Sequence, residues 1–313
     1  MSTRLTIATI LAMFCTAWTF ATELPFQAAP LPPPLAPLTL AVGHRAKVIA
    51  PGDVVLVTVV PSGPAATIEG TAFGQRVAFW RSEAGAEWRG LVGIPLDTSA
   101  TSHDLLVKAT GPAGTTASRS LPLRVQAKQF ATRRLTVDPR FVDPPADQVE
   151  RILREQALLN ETFLTVTERL WRGAFVGPVP GRPNSSFGRL TEFNKEPRGR
   201  HQGADYAVGT GTPVRAPNAG RIVIADDLYF SGNTIVLDHG SGLFSLFAHL
   251  SRMTLPRGAI VAKGEKVGEV GATGRVTGPH LHWAVRLGEV SVDPQSLIAA
   301  VASLGETSVS SPR

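Results

Sequence analysis

The chain has 313 residues, enough for two domains that each bury a core of their own. Lysine and arginine number 31 against 25 aspartates and glutamates, so the protein is basic, with a formal net charge of +6. The excess charge indicates ordinary solubility or attraction to a polyanion such as a cell wall or membrane surface. Because no long lysine or arginine run with interleaved aromatic residues is present, we expect no nucleic-acid partner.

The N-terminus predicts an export signal. Arg4 precedes an apolar stretch from Leu5 to Phe20 that is short for a membrane span, and small residues allow cleavage after Ala21. An uncleaved membrane anchor is the alternative. Cys15 lies inside the signal, so the mature chain has no cysteine and needs no disulfide. With residues 1–21 removed, we expect no stable membrane span and a location in the periplasm or cell envelope, or secretion.

The next two segments differ in composition. Residues 22–39 are rich in proline and predict an extended lead-in. Residues 40–138 hold short β-rich runs separated by glycine, proline and serine clusters, a pattern typical of an immunoglobulin-like β-sandwich. His44 and His103 are isolated there, and we interpret them as surface or turn residues. The predicted strands are Asp53–Val60, Val77–Trp80, Trp88–Ile94, Leu105–Ala109, Leu121–Val125 and Leu135–Val137.

The spacing of the apolar residues changes twice after the predicted sandwich. Apolar residues fall broadly three to four apart within residues 144–172, and Asp147 is an early acidic residue, so a linker helix is predicted. Glycines and prolines then interrupt the chain, and β-rich runs return without a strong helical pattern. We expect a compact antiparallel β-domain over residues 175–300, followed by a tail over residues 301–313. The predicted strands of this domain are Thr212–Val214, Arg221–Ala225, Thr234–Asp238, Leu243–Ala248, Lys266–Val270 and His282–Leu287.

One histidine and one aspartate stand close together in the string HQGADYA. In a straight strand the Cα atoms of His201 and Asp205 would lie about 13 Å apart, too far for one metal ion with ligand bonds of about 2 Å. If both residues bind one ion, the segment must bend, and Gly203 permits that. The pair alone is a weak signal, because such spacings often arise by chance.

Three further histidines strengthen the signal. His280 and His282 alternate around one leucine, and residues i and i+2 of a strand point to the same side, so both imidazoles can face one cleft. His249 ends a β-rich run. Geometry alone leaves open which of His280 and His282 binds a metal ion. His239, in the string LDHG, fits a strand-end turn and is interpreted as a bystander.

These strings resemble, in their order, the lysostaphin-like (LytM-domain) zinc endopeptidases. The likeness covers about residues 181–294 and includes HQGADYA, GTPVRAP, LFAHLS and TGPHLHW. The resemblance implies a compact antiparallel β-domain and one zinc ion per chain, bound by His201, Asp205 and His282. It implies that His249 and His280 are the catalytic histidines. Phe247 stands where tyrosine is common in the family, which removes one hydroxyl from what should be a packing ring.

The implied activity is hydrolysis of peptide bonds by a zinc-activated water. Two neutral imidazoles and one carboxylate leave the ion with net positive charge, which acidifies water and polarises the scissile carbonyl. His249 and His280 are suited to take the proton, stabilise the oxyanion and protonate the leaving amine, and the division of these roles stays open. The resemblance implies peptidoglycan stem or cross-link peptides as the substrate.

Other interpretations of the sequence compete with this one. The enzyme could cut another exported, glycine-rich peptide. A non-catalytic wall-binding or amidase-regulating module belongs to a different class, and an intact set of ligands counts against it. A purely structural metal would leave the two extra histidines unexplained. The N-terminal sandwich could position the enzyme, bind a partner or occlude the catalytic cleft through a contact in cis, and its sequence does not choose among these roles.

Overall fold

The computed structural model describes residues 37–305, apart from positions 84, 86, 113, 137–142, 185–186 and 194–195. The predicted signal peptide, nearly all of the proline-rich segment and the end of the tail lie outside the described residues. Among the helices that are described, none has the length and apolar character needed to cross a membrane.

The first part of the chain forms a barrel-like sheet. Its strands are β1 (Leu40–His44), β2 (Val54–Pro61), β3 (Thr67–Ala72), β4 (Gln75–Arg81), β5 (Trp88–Gly93), β6 (Ser102–Thr110) and β7 (Thr116–Arg124). They pair in the order β1-β2-β5-β4-β3-β6-β7, and β1 also lies beside β7. The mainly β class is confirmed. The region expected to be an immunoglobulin-like sandwich forms one continuous sheet instead. Strand β4 pairs with both β5 and β3, and so joins the two halves of this sheet.

Alternation of side chains builds the core of this barrel. Successive residues of a strand face opposite sides of the sheet, so every second apolar residue can be buried. The sequence predicts β2 and β6 because both follow this rule with large or branched residues. Their inward-facing side chains are Val55, Val57, Val59, Leu105, Val107 and Ala109, all at most 1% exposed.

Two strands of the barrel, β1 and β3, were not predicted. β3 buries Ile68, Gly70 and Ala72, and two of these residues are too small to produce a hydrophobic signal. Glycine is required at position 70, because a Cβ atom there would lie 2.7 Å from the ring of Phe79. Packing with a residue distant in sequence therefore sets this strand, which local propensity does not reveal.

A single long helix connects the two halves of the chain. Helix α1 spans Ala146–Leu164, with Asp147 in its first turn. It ends eight residues before the limit of the predicted segment 144–172, because the backbone becomes extended at Thr165, with ψ of 143°. Thr165 begins the run TVT, whose β-branched residues lower helix propensity. Phe163 is the buried anchor of this helix and packs on Phe244 with ring centroids 5.4 Å apart.

A second, small sheet is formed by one strand that precedes helix α1 in the sequence and two strands that follow it. It consists of β8 (Thr132–Leu135), β9 (Leu190–Phe193) and β10 (Glu196–Arg200), with β9 in the middle. β9 runs parallel to β8 and antiparallel to β10. The predicted strand Leu135–Val137 overlaps only the end of β8, and β9 and β10 carry too few apolar residues to have been predicted.

The C-terminal part is an antiparallel sheet with a large apolar core, as predicted. The order of its main path is β11-β18-β15-β14-β13-β16, while β12 pairs with β17, β17 with β15, and β19 with β18. The strands are β11 (Ala204–Tyr206), β12 (Pro213–Arg215), β13 (Gly220–Leu228), β14 (Gly232–Gly240), β15 (Leu243–Met253), β16 (Ile260–Val261), β17 (Lys266–Val270), β18 (Leu281–Leu287) and β19 (Val290–Val292).

One helix near the C-terminus was not predicted from the sequence. Helix α2 spans Pro294–Val301, and the Asp293 side chain caps it by accepting a hydrogen bond from the Gln295 backbone N–H. Eight residues are too few to show a helical period in sequence, although aspartate followed by proline is a typical helix start. Because Val301 is fully buried, the predicted tail over residues 301–313 begins too early.

Candidate metal centre

The pairing of β11 with β18 brings the first candidate residues together. Asp205 on β11 lies directly opposite His282 on β18. His201 lies four residues before Asp205, and the chain bends at Gly203 to bring the His201 ring within reach of the same point. A Cβ atom at Gly203 would lie 2.6 Å from His282 Cε1 and 2.7 Å from the Trp283 carbonyl oxygen. Only glycine therefore allows this close approach.

Three side-chain atoms converge at this point. His201 Nε2 lies 3.1 Å from His282 Nδ1 and 3.1 Å from Asp205 Oδ1, and His282 Nδ1 lies 2.9 Å from the same oxygen. Ligand atoms around a tetrahedral zinc ion with bonds of about 2.0–2.1 Å are about 3.3 Å apart. The triangle of two imidazole nitrogens and one carboxylate oxygen therefore fits a zinc ion in both donor type and size.

Burial and hydrogen bonding set the charges of this triangle. Burial alone would raise the pKa of Asp205, but the hydrogen bonds from His201 and His282 outweigh it and hold the pKa of this carboxyl well below its usual range. Burial lowers the pKa of His282, in spite of its hydrogen bond to the Asp205 carboxylate. An ionised carboxylate and an imidazole kept neutral are the protonation states that bind a metal ion.

His249 reaches the centre through an irregularity in β15. The pairing of β14 with β15 shifts register between Ile235 and Asn233, which is a β-bulge that includes His249. The His249 backbone adopts φ of 64°, a conformation that a residue with a side chain rarely takes. Its ring lies with its centroid 4.9 Å from that of His280 and 6.0 Å from that of His282. The strained bulge thus aims this ring at the cluster of His201, Asp205 and His282.

Backbone carbonyls fix the tautomers of His249 and His280. His249 Nδ1 lies 2.9 Å from the Thr273 carbonyl oxygen, and His280 Nδ1 lies 2.9 Å from that of Gly278. Since a carbonyl can only accept, each Nδ1 carries the proton and each Nε2 is left as the basic nitrogen. His280 Nε2 lies 3.9 Å from Asp205 Oδ1. Burial, with the charges of His282 and His280, lowers the pKa of His249 to about 3.

His239 does not belong to the centre. It lies on β14 and is fully buried, rather than in a turn. Its ring makes hydrogen bonds to the Ala219 carbonyl, at 2.7 Å, and to the Ser245 hydroxyl, at 2.9 Å. Burial lowers its pKa to about 4. The structure thus agrees with its interpretation as a bystander.

The centre lies in a cleft of about 540 Å³. Leu159 and Phe163 of α1 form part of one wall, and Thr191 of β9 forms part of another. None of the described residues that line the cleft belongs to the barrel, so the suggested cis contact between the N-terminal domain and the cleft has no support there. Sequence reasoning missed several lining residues, notably Arg275 and Arg286. Arg286 could have been found, because it is four residues after His282 and so lies on the same face of β18.

Comparison with known proteins shows the family to which the chain belongs. Residues 199–294 match the model of peptidase family M23. A Pseudomonas aeruginosa protein whose crystal structure is assigned to peptidase M23 is 32% identical, with a TM-score of 0.62 over 80% of this chain and 95% of that chain. This chain belongs to peptidase family M23, which confirms the resemblance to the lysostaphin-like peptidases.

Curated relatives share shorter segments. The peptidoglycan DD-endopeptidase ShyB of Vibrio cholerae is 29% identical over 167 residues, which are 53% of this chain and 35% of the relative. The DD-carboxypeptidase/endopeptidase Mpg of Neisseria meningitidis is 43% identical over 97 residues, which are 31% of this chain and 22% of the relative. The matches therefore span about a third or less of the length of these relatives.

Proposed function

We propose that this protein is an exported zinc metalloendopeptidase that hydrolyses peptide bonds in the stem or cross-link peptides of peptidoglycan. In this proposal His201, Asp205 and His282 hold one zinc ion, and His249 and His280 move protons. The observation that carries it is the convergence of His201 Nε2, Asp205 Oδ1 and His282 Nδ1 to within 3.1 Å of one another beside two more histidines.

The donor set favours a catalytic rather than a structural ion. Structural zinc sites have four protein ligands, whereas catalytic sites have three and an open position. Among the described residues, the group with metal-binding spacing consists of three, His201, Asp205 and His282. The chemistry that a zinc ion supplies at such a site is Lewis acidity, which activates water and polarises a carbonyl.

His249 and His280 provide the proton transfers. Because each donates its Nδ1 proton to a backbone carbonyl, each presents Nε2 as a base that can take a proton from the attacking water. Once protonated, the same nitrogen donates a hydrogen bond to the developing oxyanion or a proton to the leaving amine. The fixed rings hold these nitrogens in place before substrate binds, so little reorganisation is needed during the reaction.

The substrate assignment draws on the relatives. ShyB and Mpg both bear names that describe endopeptidase activity, and the name of ShyB specifies peptidoglycan. The family match over residues 199–294 includes HQGAD and GPHLHW, where all three proposed ligands of this chain lie. Peptidoglycan lies outside the cytoplasm, which agrees with the export signal proposed for residues 1–21. The complete set of five site residues argues against a non-catalytic regulatory module.

Defined cross-linked muropeptides provide the test. Incubated with zinc-loaded protein and analysed by mass spectrometry, they should yield a new amine and a new carboxyl end. His282→Ala should lose both cleavage and bound zinc, whereas His103→Ala, which changes a histidine of the barrel, should retain both. Cleavage by the His282→Ala protein, or a zinc content of wild type well below one ion per chain, would contradict the proposal.

A further inference from the structure

One wall of the cleft comes from a helix outside the part of the chain that matches the peptidase family. The family match covers residues 199–294, whereas helix α1 spans Ala146–Leu164. Two side chains of α1, those of Leu159 and Phe163, nevertheless line the cleft. This wall is therefore supplied to the matched domain by a separate segment of the chain, and it limits the space that a substrate can occupy there.

Contacts along its length hold α1 against the sheet. Arg151 Nη2 donates a hydrogen bond of 2.7 Å to the Asp227 carbonyl oxygen. One turn further on, Glu155 Oε2 accepts a hydrogen bond of 2.8 Å from the Tyr229 backbone N–H. Near the end of the helix, the buried side chain of Phe163 packs into an apolar cluster with residues of the sheet. The wall is therefore in place before substrate binds.

The floor of the cleft beside α1 is apolar. Ala284 of β18 lies two residues after His282 and so faces the same side of the sheet. On the neighbouring strand β15, Ala248 pairs with His282 and Leu246 pairs with Ala284. Because two residues of a strand span about 7 Å, the pair of Leu246 and Ala284 lies about that far along the sheet from His282. An extended peptide with its scissile bond at His282 thus places a side chain within two residues of that bond over this floor.

Only a small apolar surface is left uncovered where the helix meets the floor. Ala248 is 1% exposed and Ala284 is 7% exposed. The side chains of Leu159 and Leu246 are half-buried and pack against the same cluster as Phe163. A methyl group covers a surface of this size, whereas a longer side chain must displace Leu159 or remain in water. The side chains that border this apolar notch are Leu159, Phe163, Leu246, Ala248 and Ala284.

We propose that the apolar notch binds one short apolar side chain of the peptide substrate, such as the methyl group of alanine, within two residues of the scissile bond. In this role Leu159 and Phe163 make α1 a determinant of specificity. The inference rests on the proposed peptidase function. An apolar pocket discriminates between side chains that differ by one methylene by about 10–200-fold. A polar side chain would lose its bound water in the notch without gaining a hydrogen bond from these apolar residues.

A series of peptides that differ in one side chain tests the selection. In a synthetic peptide that reproduces one peptidoglycan cross-link, each residue within two positions of the cross-link bond is replaced in turn by glycine, alanine, valine or leucine. With the zinc-loaded full chain, one position should show the highest kcat/KM for alanine and a value at least about tenfold lower for leucine. That position identifies the residue that enters the notch. No preference for alanine over leucine at any position would overturn the inference.

Variants of the notch connect the selection to α1. Leu159→Ala should widen the notch and raise kcat/KM for the leucine peptide relative to the alanine peptide by about tenfold. Leu158→Ala is the matched control, because Leu158 is half-buried in the same cluster but does not line the cleft, and it should leave this ratio unchanged. Ala284→Val should narrow the notch and shift the preference from alanine towards glycine. An unchanged ratio in Leu159→Ala, or an equal shift in Leu158→Ala, would overturn the inference while leaving the peptidase function intact.

Binding separates this inference from the proposed function. If zinc-loaded protein cleaves none of the peptides, the peptidase proposal fails, and fluorescence anisotropy of the same labelled peptides then decides the selection. Tighter binding of the alanine peptide than of the leucine peptide, with a smaller difference in Leu159→Ala, would support an apolar subsite at α1. Equal binding of the two peptides by wild type would reject it.

Discussion

At the scale of single residues, Gly203 is the position on which the candidate metal centre depends, although glycine has no side chain that could be a ligand. Its missing side chain lets the HQGAD segment pass against the ring of His282. Gly203→Ala would place a Cβ atom 2.6 Å from His282 Cε1 and 2.7 Å from the Trp283 carbonyl oxygen, and backbone cannot move as easily as a flexible side chain. The imidazole of His282 must therefore shift away from Asp205.

We expect Gly203→Ala to weaken zinc binding at least tenfold and to lower the free energy of unfolding by about 1–3 kcal/mol, as overpacking does. Zinc titration and thermal unfolding measure the two effects. Gly209→Ala is the matched control, because a Cβ atom there meets nothing within 4 Å. Equal zinc affinity for the two variants would show that the bend tolerates a side chain.

At the scale of elements, helix α1 is a wall of the cleft and not only a linker. Phe163 is 5% exposed and packs edge-on against Phe244, and the guanidinium of Arg286 stacks over its ring. Glu155 ties the helix to the loop after β13 by accepting a hydrogen bond of 2.8 Å from the Tyr229 backbone N–H. The helix therefore docks through one apolar anchor and a few polar contacts.

Phe163→Ala should lower the free energy of unfolding by about 3 kcal/mol, within the range for removing a buried phenylalanine. It should also reduce activity, because the cleft loses part of a wall and Arg286 loses its support. Leu153→Ala is the control on the same helix, since Leu153 is 60% exposed and its loss should change stability by less than about 0.5 kcal/mol. Denaturant unfolding measures both. Similar effects of the two substitutions would mean that α1 is not docked through Phe163.

The elements also show which parts of the fold can be predicted from the sequence. Period-two patterns of large apolar residues predict strands such as β2 and β6, and the alternation of His280 and His282 predicts their shared face. β11 has three residues, and its place depends on pairing with β18, about 80 residues away, so no local pattern reveals it. The bulge at His249 and the bend at Gly203 likewise follow from contacts between distant segments. Sequence named the five candidate site residues, whereas their geometry required the fold.

At the scale of the whole molecule, the barrel has a core of its own and also contributes residues to the core of the C-terminal sheet. Val54 and Leu91 of the barrel belong to the same buried cluster as Val290 and Val292 of β19. The Val54 backbone N–H also donates to the Ser296 hydroxyl of α2, at 2.9 Å. A continuous apolar contact of this kind couples the folding of the two parts, because neither can unfold without exposing the surface of the other.

Gly93→Ala tests this coupling at the contact itself. A Cβ atom at Gly93 would lie 2.8 Å from Val292 Cγ1 and 3.2 Å from Val290 Cγ1, so the two parts must move apart slightly. We expect a loss of about 1–3 kcal/mol in the free energy of unfolding. Gly43→Ala, in an open position of β1, should not destabilise the protein. If calorimetry shows the same stability for the two variants, the contact between the barrel and β19 does not contribute to stability.

Zinc should stabilise the whole molecule and not the C-terminal sheet alone. A ligand that binds only the folded state adds RT ln(1 + [L]/Kd), about 4 kcal/mol at a free zinc concentration a thousandfold above Kd. For a folding unit of this size that gain raises Tm by roughly 8 °C. Because the barrel contributes Val54 and Leu91 to the core of the C-terminal sheet, calorimetry of the full chain should show one transition that moves upward with zinc and back with a chelator. His282→Ala should remove the shift. Two transitions, of which only one responds to zinc, would mean that the barrel and the peptidase domain unfold independently in spite of the apolar contact between them.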